Sequence, residues 1–165
     1  MFDLTRVSAV EGRLYPCLQI FGGGMFIFTL MNQLKPPVHG ITVAVAGLLA
    51  ILGSIGLLLA VRWFEGVPSS AKWCFVFWVS QTVVFSTSFA SFDFFSGADF
   101  RAVLELRHIG FSLYLPRLGT GFVALIDQDG PNPYVGVNLI ATAASGFFLR
   151  AWRRQISAVS TGGRA

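Results

Sequence analysis

Charged side chains are missing from three long stretches of the chain, Tyr15–Leu34, Ile41–Val61 and Trp73–Phe92, and from a shorter one, Tyr134–Leu149. A helix needs about 20 apolar residues to cross a hydrocarbon core about 30 Å thick. Three stretches meet that length, and the fourth reaches it if its helix continues to Trp152. The pattern predicts an all-α polytopic membrane protein. Its spans fall at about 15–34, 41–61, 73–93 and 134–152, within a single four-transmembrane-helix bundle over residues 1–155.

The residues between the runs fit that plan. Pro16 opens the first span, where a missing N–H costs least. Pro36-Pro37 closes it, because proline cannot continue a helix. The short link that follows makes the first two spans an antiparallel hairpin. Pro68-Ser69-Ser70 offers a turn and an N-cap before the third span. The long hydrophilic loop 98–133 is patterned. Arg101, Glu105, His108 and Ser112 recur at helical spacing, with Phe100, Val103, Leu104 and Phe111 leaning to the other side. This predicts an amphipathic helix lying on the membrane surface. Gly110–Ile126 is apolar apart from Arg117 and is broken by Pro116, Gly119 and Gly121, as a re-entrant element or a poor fifth span would be. Asp127–Pro133 reads as a turn, and residues 156–165 as a flexible tail.

Composition strengthens the membrane reading. The 165 residues are 54% hydrophobic and 12% charged, against about 25% charged in an average soluble domain. Mean hydropathy is +0.67. The net charge of +4 would raise the question of nucleic acid in a soluble protein. Here the cations flank apolar runs and act as a topology signal, so no nucleic-acid partner is expected. Arg6, Arg13, Arg62, Lys72, Arg150, Arg153, Arg154 and Arg164 outnumber Lys35, Arg101, Arg107 and Arg117 on the other side. That bias predicts an integral, multi-pass protein with both termini cytoplasmic. The first run is too long for a signal peptide and lacks a small-residue cleavage site. Cys17 and Cys74 form no C-x-x-C pair, which excludes a thioredoxin-like centre or a four-thiolate zinc site.

The candidate chemistry is sparse. The third run carries Ser80, Gln81, Thr82, Ser86, Thr87, Ser88 and Ser91 among aromatic residues. Such a face should turn toward protein or a wet cavity. Gln81, Ser88 and Asp93 are the substrate or polar-path candidates; interhelical packing by small hydroxyl residues is the plainer alternative. Asp93, at the end of the run, and Arg107 are candidates for anchoring the surface helix, with Asp99 a second carboxylate for Arg107 and with Arg101 and Arg117 as other partners for Asp93. Gly22, Gly23 and Gly24 interrupt the first span, and Gly53 and Gly56 offer a matching seam for close helix packing. His39 and His108 have no metal-ligand spacing. No cofactor is indicated, no metal site is expected, and no catalytic arrangement is legible, so the balance leans against an enzyme.

The leading functional expectation is a non-catalytic subunit or scaffold of a larger membrane complex, with the lipid bilayer and other membrane subunits, or further copies of itself, as partners. The alternative is a small oligomeric transporter or channel using the polar face of the third helix. A third reading is an intramembrane enzyme acting on a lipid or quinone.

Overall fold

Alternation of side chains, not their overall hydropathy, decides the architecture. A computed structural model describes residues 10–33, 40–67, 69–87, 90–126 and 133–162. Three helices come first: α1 (Glu11–Gln33), α2 (Gly40–Phe64) and α3 (Ser70–Val79). Six strands follow: β1 (Val83–Ser86), β2 (Ala90–Asp99), β3 (Arg101–Glu105), β4 (Gly110–Leu113), β5 (Arg117–Ile126) and β6 (Tyr134–Asn138). Helix α4 (Leu139–Gly162) closes the chain order and continues into the segment expected to be a tail.

The strands form one antiparallel sheet in the order β4-β3-β6-β1-β2-β5. The fold is therefore α+β and not an all-α bundle. Among the described residues no helix is long and apolar enough to cross a membrane. These findings overturn the four-span bundle, its multi-pass placement with cytoplasmic termini, and the surface helix. The membrane-complex subunit, the transporter or channel, and the intramembrane enzyme all rested on that bundle and fall with it.

The physical reason lies in two ambiguous patterns. The third apolar run is helical only to Val79; Ser80, Gln81 and Thr82 then turn the chain. Beyond them, Val83-Val84-Phe85 has the β-branched and aromatic content of a strand. In β2, Ser91 and Asp93 alternate with Phe92 and Phe94, the period-2 signature of a sheet with one apolar face. In the loop, Arg101 and Glu105 are four residues apart, a separation that suits a helix face and a strand face equally. Their backbone groups are paired across strands: Arg101–Glu105 runs against Asn138–Tyr134 on one side, and Ala102–Glu105 against Leu113–Gly110 on the other.

One face of the sheet carries Phe92, Phe94, Ser96 and Ala98 of β2 and meets the helices, chiefly α1. The contact is close. A Cβ on Gly22 would overlap the Gly97 backbone nitrogen and Ser96 Oγ, while one on Gly97 would overlap the Leu18 carbonyl. Gly97 also has φ +102°, which favours glycine. Helices α1 and α2 form an antiparallel pair, since Trp63 near the end of α2 donates its indole N–H to Gly12 O at the start of α1, 3.0 Å away.

The core is largely aromatic: Phe26, Trp63, Phe77, Trp78, Phe94, Phe147 and Phe148 are buried together. Many of the ring pairs are edge-on, including Trp63–Phe148 at 5.1 Å and Phe77–Phe94 at 6.1 Å, the arrangement that ring quadrupoles prefer. Each such side chain contributes about 1.5–3 kcal/mol by leaving water. Polar groups inside this core are satisfied. Gln19 is fully buried; its amide donates to Gly56 O at 2.9 Å and accepts from Trp78 Nε1 at 3.1 Å. Ser96 Oγ is the one buried side-chain polar atom without a hydrogen bond among the described residues.

Candidate functional site

Strand alternation places Asp93, Phe95, Asp99, Arg101 and Val103 on the sheet face opposite α1. β2 and β3 are separated only by Phe100, yet β6 and β1 lie between them in the sheet. The sheet must therefore curl, bringing the start of β3 back over β2. Asn138 holds the corner: its Oδ1 accepts from Phe100 N at 3.4 Å, and its Nδ2 donates to Ala98 O at 3.4 Å. The same Oδ1 caps α4 by accepting from Ile140 N and Ala141 N.

The curl assembles a charged cluster. Arg101 donates from both terminal nitrogens to Asp93, at 2.7 and 2.6 Å, and from Nε to Asp99 at 2.6 Å. Arg117 donates from Nε to the second oxygen of Asp99 at 2.7 Å. The Phe95 ring lies beneath both guanidinium groups, 5.5 Å from Arg101 and 4.6 Å from Arg117. Gly121, paired with Phe95 across the strands, leaves the room for that ring, which a Cβ would overlap. Asp99 and Arg101 are buried, whereas the Arg117 side chain is 54% exposed. Burial alone would lower the Arg101 pKa, but its hydrogen bonds to Asp93 and Asp99 outweigh this and raise it.

These groups line a cavity of about 310 Å³ together with Val103, Tyr114, Leu115 and Tyr134, a volume at the small end of ligand sites. Burial raises the Tyr134 pKa, and the Asp93 carboxylate raises it further, so its phenol stays protonated at neutral pH. Among the described residues, the Tyr114 and Tyr134 hydroxyls and the two terminal nitrogens of Arg117 have no hydrogen-bond partner. The cavity thus presents unspent donors around a cluster whose carboxylates are already engaged. No group of His, Cys, Asp and Glu among the described residues suits a metal ion.

The residues singled out from sequence are dispersed. Asp93 belongs to the cluster, where the guanidinium that grips it is that of Arg101. Arg107 stands exposed in the turn between β3 and β4, as does His108. Gln81 is buried in the turn after α3, accepts from Ser96 N at 2.6 Å and donates to Phe77 O at 3.3 Å, so it ties α3 to β2. Ser88 and His39 lie outside the described residues. Gly22 meets β2, Gly23 and Gly53 meet across the α1–α2 seam, and Gly56 faces the Phe77 ring. Gly24 faces open space. Tyr114 and Tyr134 carry no sequence expectation, and Asp99 was expected only as a second carboxylate for Arg107. The signal for Asp99 was present: Asp93, Phe95, Asp99 and Arg101 stand at even separations in the sequence, which puts them on one face of an extended chain. No comparable signal links Tyr134, which arrives through the β3–β6 pairing.

Comparison of the chain with protein-family models, with curated proteins and with solved structures finds no match.

Proposed function

We propose that the protein binds a small organic oxyanion, a carboxylate or a phosphate ester, in the cavity on the curled sheet. The observation that carries this reading is Arg117. Its Nε is fixed by Asp99 and its plane rests near Phe95, while its terminal nitrogens stand at the cavity with no partner among the described residues. A guanidinium held in place in this way loses little freedom when it takes up a planar or tetrahedral anion, which favours affinity. The Tyr114 and Tyr134 hydroxyls supply further donors, and Val103 and Leu115 supply apolar wall for the body of the ligand.

Binding suits the site better than catalysis. A general base needs a free acceptor near the substrate, and both carboxylates here are taken up by guanidinium donors. The cluster holds Arg101 and Arg117 against Asp93 and Asp99, so its own charges balance. An added anion is therefore recognised by directed hydrogen bonds at Arg117 more than by bulk positive charge.

Isothermal titration with short mono- and dicarboxylates, inorganic phosphate and small phosphate monoesters tests the reading and separates the two oxyanion types. The corresponding neutral amides serve as controls. Saturable binding of at least one oxyanion is expected, weakened about tenfold or more in R117Q, a loss of about 1.4 kcal/mol or more. Absence of binding across the panel, or equal binding by R117Q, would leave the cluster as a lock on the curl of the sheet and nothing more.

A further inference from the structure

Helix α2 packs on α1 through Gly53 and on α3 through Gly56 and the Leu59 carbonyl, which accepts from Cys74 Sγ at 3.6 Å. Its opposite face is bare. Leu48, Ile51, Ile55, Leu58 and Val61 are all exposed, Ile51 at 59% and Leu58 at 54%. They recur at steps of three and four residues, the spacing of an apolar seam between paired helices. Gly47 and Ser54 lie in the same stripe and add no bulk. Contiguous exposed apolar surface of this kind marks an interaction site.

We infer that this stripe pairs with the same stripe of a second copy, with the two α2 helices antiparallel about a two-fold axis near Ser54 and Ile55. The distribution of charge selects this occupant. No charged residue occurs in α2 before Arg62. Trp63 bonds to Gly12 at the start of α1, so Arg13 sits at the same end as Arg62. An antiparallel pair sets this basic end beside the uncharged Gly47 end of the other copy. The two Arg62 residues then stand about 20 Å apart at 1.5 Å per residue, beyond the screening length of about 8 Å. A parallel pair would bring them together. A helix lying on an anionic membrane calls for cations along its polar flanks, whereas here they gather at one end. Even wholly buried on both copies, one helix-to-helix stripe of this length lies at the low end of specific interfaces, about 1,000 Å². A weak, reversible dimer is the expectation.

Sedimentation velocity over a wide range of protein concentration tests this. A reversible shift from 17.9 kDa toward twice that mass is expected. Ile55→Glu should hold the protein monomeric at every concentration with an unchanged circular dichroism spectrum and the melting temperature of the dilute wild-type monomer, because the position is exposed in the single copy. In a C17S background, Ser54→Cys should form a covalent dimer on mild oxidation, while Leu48→Cys should not. A wild-type monomer at all concentrations, an I55E variant that still dimerises, or cross-linking through Leu48→Cys would each overturn the proposal. So would flotation of a wild-type monomer with anionic vesicles, which would assign the stripe to a lipid surface instead.

Discussion

Arg101 serves two carboxylates from a position in which only 8% of its side chain is exposed. Buried pairs of this type contribute little net stability when intact, since desolvation offsets attraction. Removing one partner is costly, about 3–5 kcal/mol, because the charge left behind has no counterion. Arg101→Met takes the guanidinium from Asp93 and leaves Asp99 with Arg117 alone, and it is expected to lose stability in that range by urea denaturation. Arg117→Gln removes the donor to the second Asp99 oxygen but leaves Arg101 on the first, so a smaller loss, about 1–3 kcal/mol, is expected. The variant stays folded under native conditions and serves as a probe of ligand binding once its urea midpoint has been measured. The strand alternation that gathers Asp93, Asp99 and Arg101 is visible in the sequence once an extended backbone is assumed. Under a helical reading the same residues scatter around a cylinder. Secondary structure therefore decided whether the cluster could be seen at all.

At the scale of elements, the glycines of α1 separate by environment and not by sequence. Gly22 lies against β2 and has no space for a Cβ, whereas Gly24, two residues on, faces none within 4 Å. Gly24→Ala should stabilise the protein by about 1 kcal/mol, the helix-propensity difference. Gly22→Ala gains the same propensity term but must push α1 away from Gly97, and overpacking costs about 1–3 kcal/mol. Thermal melts of the two variants should move in opposite directions; equal upward shifts would contradict the α1–β2 contact. From sequence, all three glycines in this run look alike. The α1–α2 hairpin was legible because the link between two apolar segments is short. What the hairpin packs against was not, since an apolar helix face fits a sheet, a helix or lipid equally.

For the whole molecule, Cys74 links burial to pH. Its thiol is pushed up to about 12 by desolvation, with a hydrogen bond to Gln19 acting the other way. An unfolded thiol ionises near 8.5. A group whose folded pKa is raised contributes stability that is fully present below the unfolded pKa and is lost as pH rises through the folded one. Stability should therefore decline between about pH 9 and 12 by on the order of 4 kcal/mol from this residue, and C74A should flatten that part of the profile. Thiol labelling of the native protein at pH 8 should modify the exposed Cys17 and spare the buried Cys74 until denaturant is added.

Sequence by itself determined the long apolar helices α1 and α2, their hairpin, and a chain with too few charges to leave much of its interior polar. These follow from local hydropathy and from the fixed φ of proline, which act within a few residues. Only the tertiary structure decided that β1 to β5 pair across strands, that β6 inserts between β3 and β1, that Arg117 meets the Asp99 carboxylate, and that Tyr134 lines the same cavity. The physical reason is that an uncharged run states only that water is excluded. Whether lipid, a helix or the face of a sheet excludes it depends on where distant backbone N–H and C=O groups find partners, and that is settled by the chain as a whole.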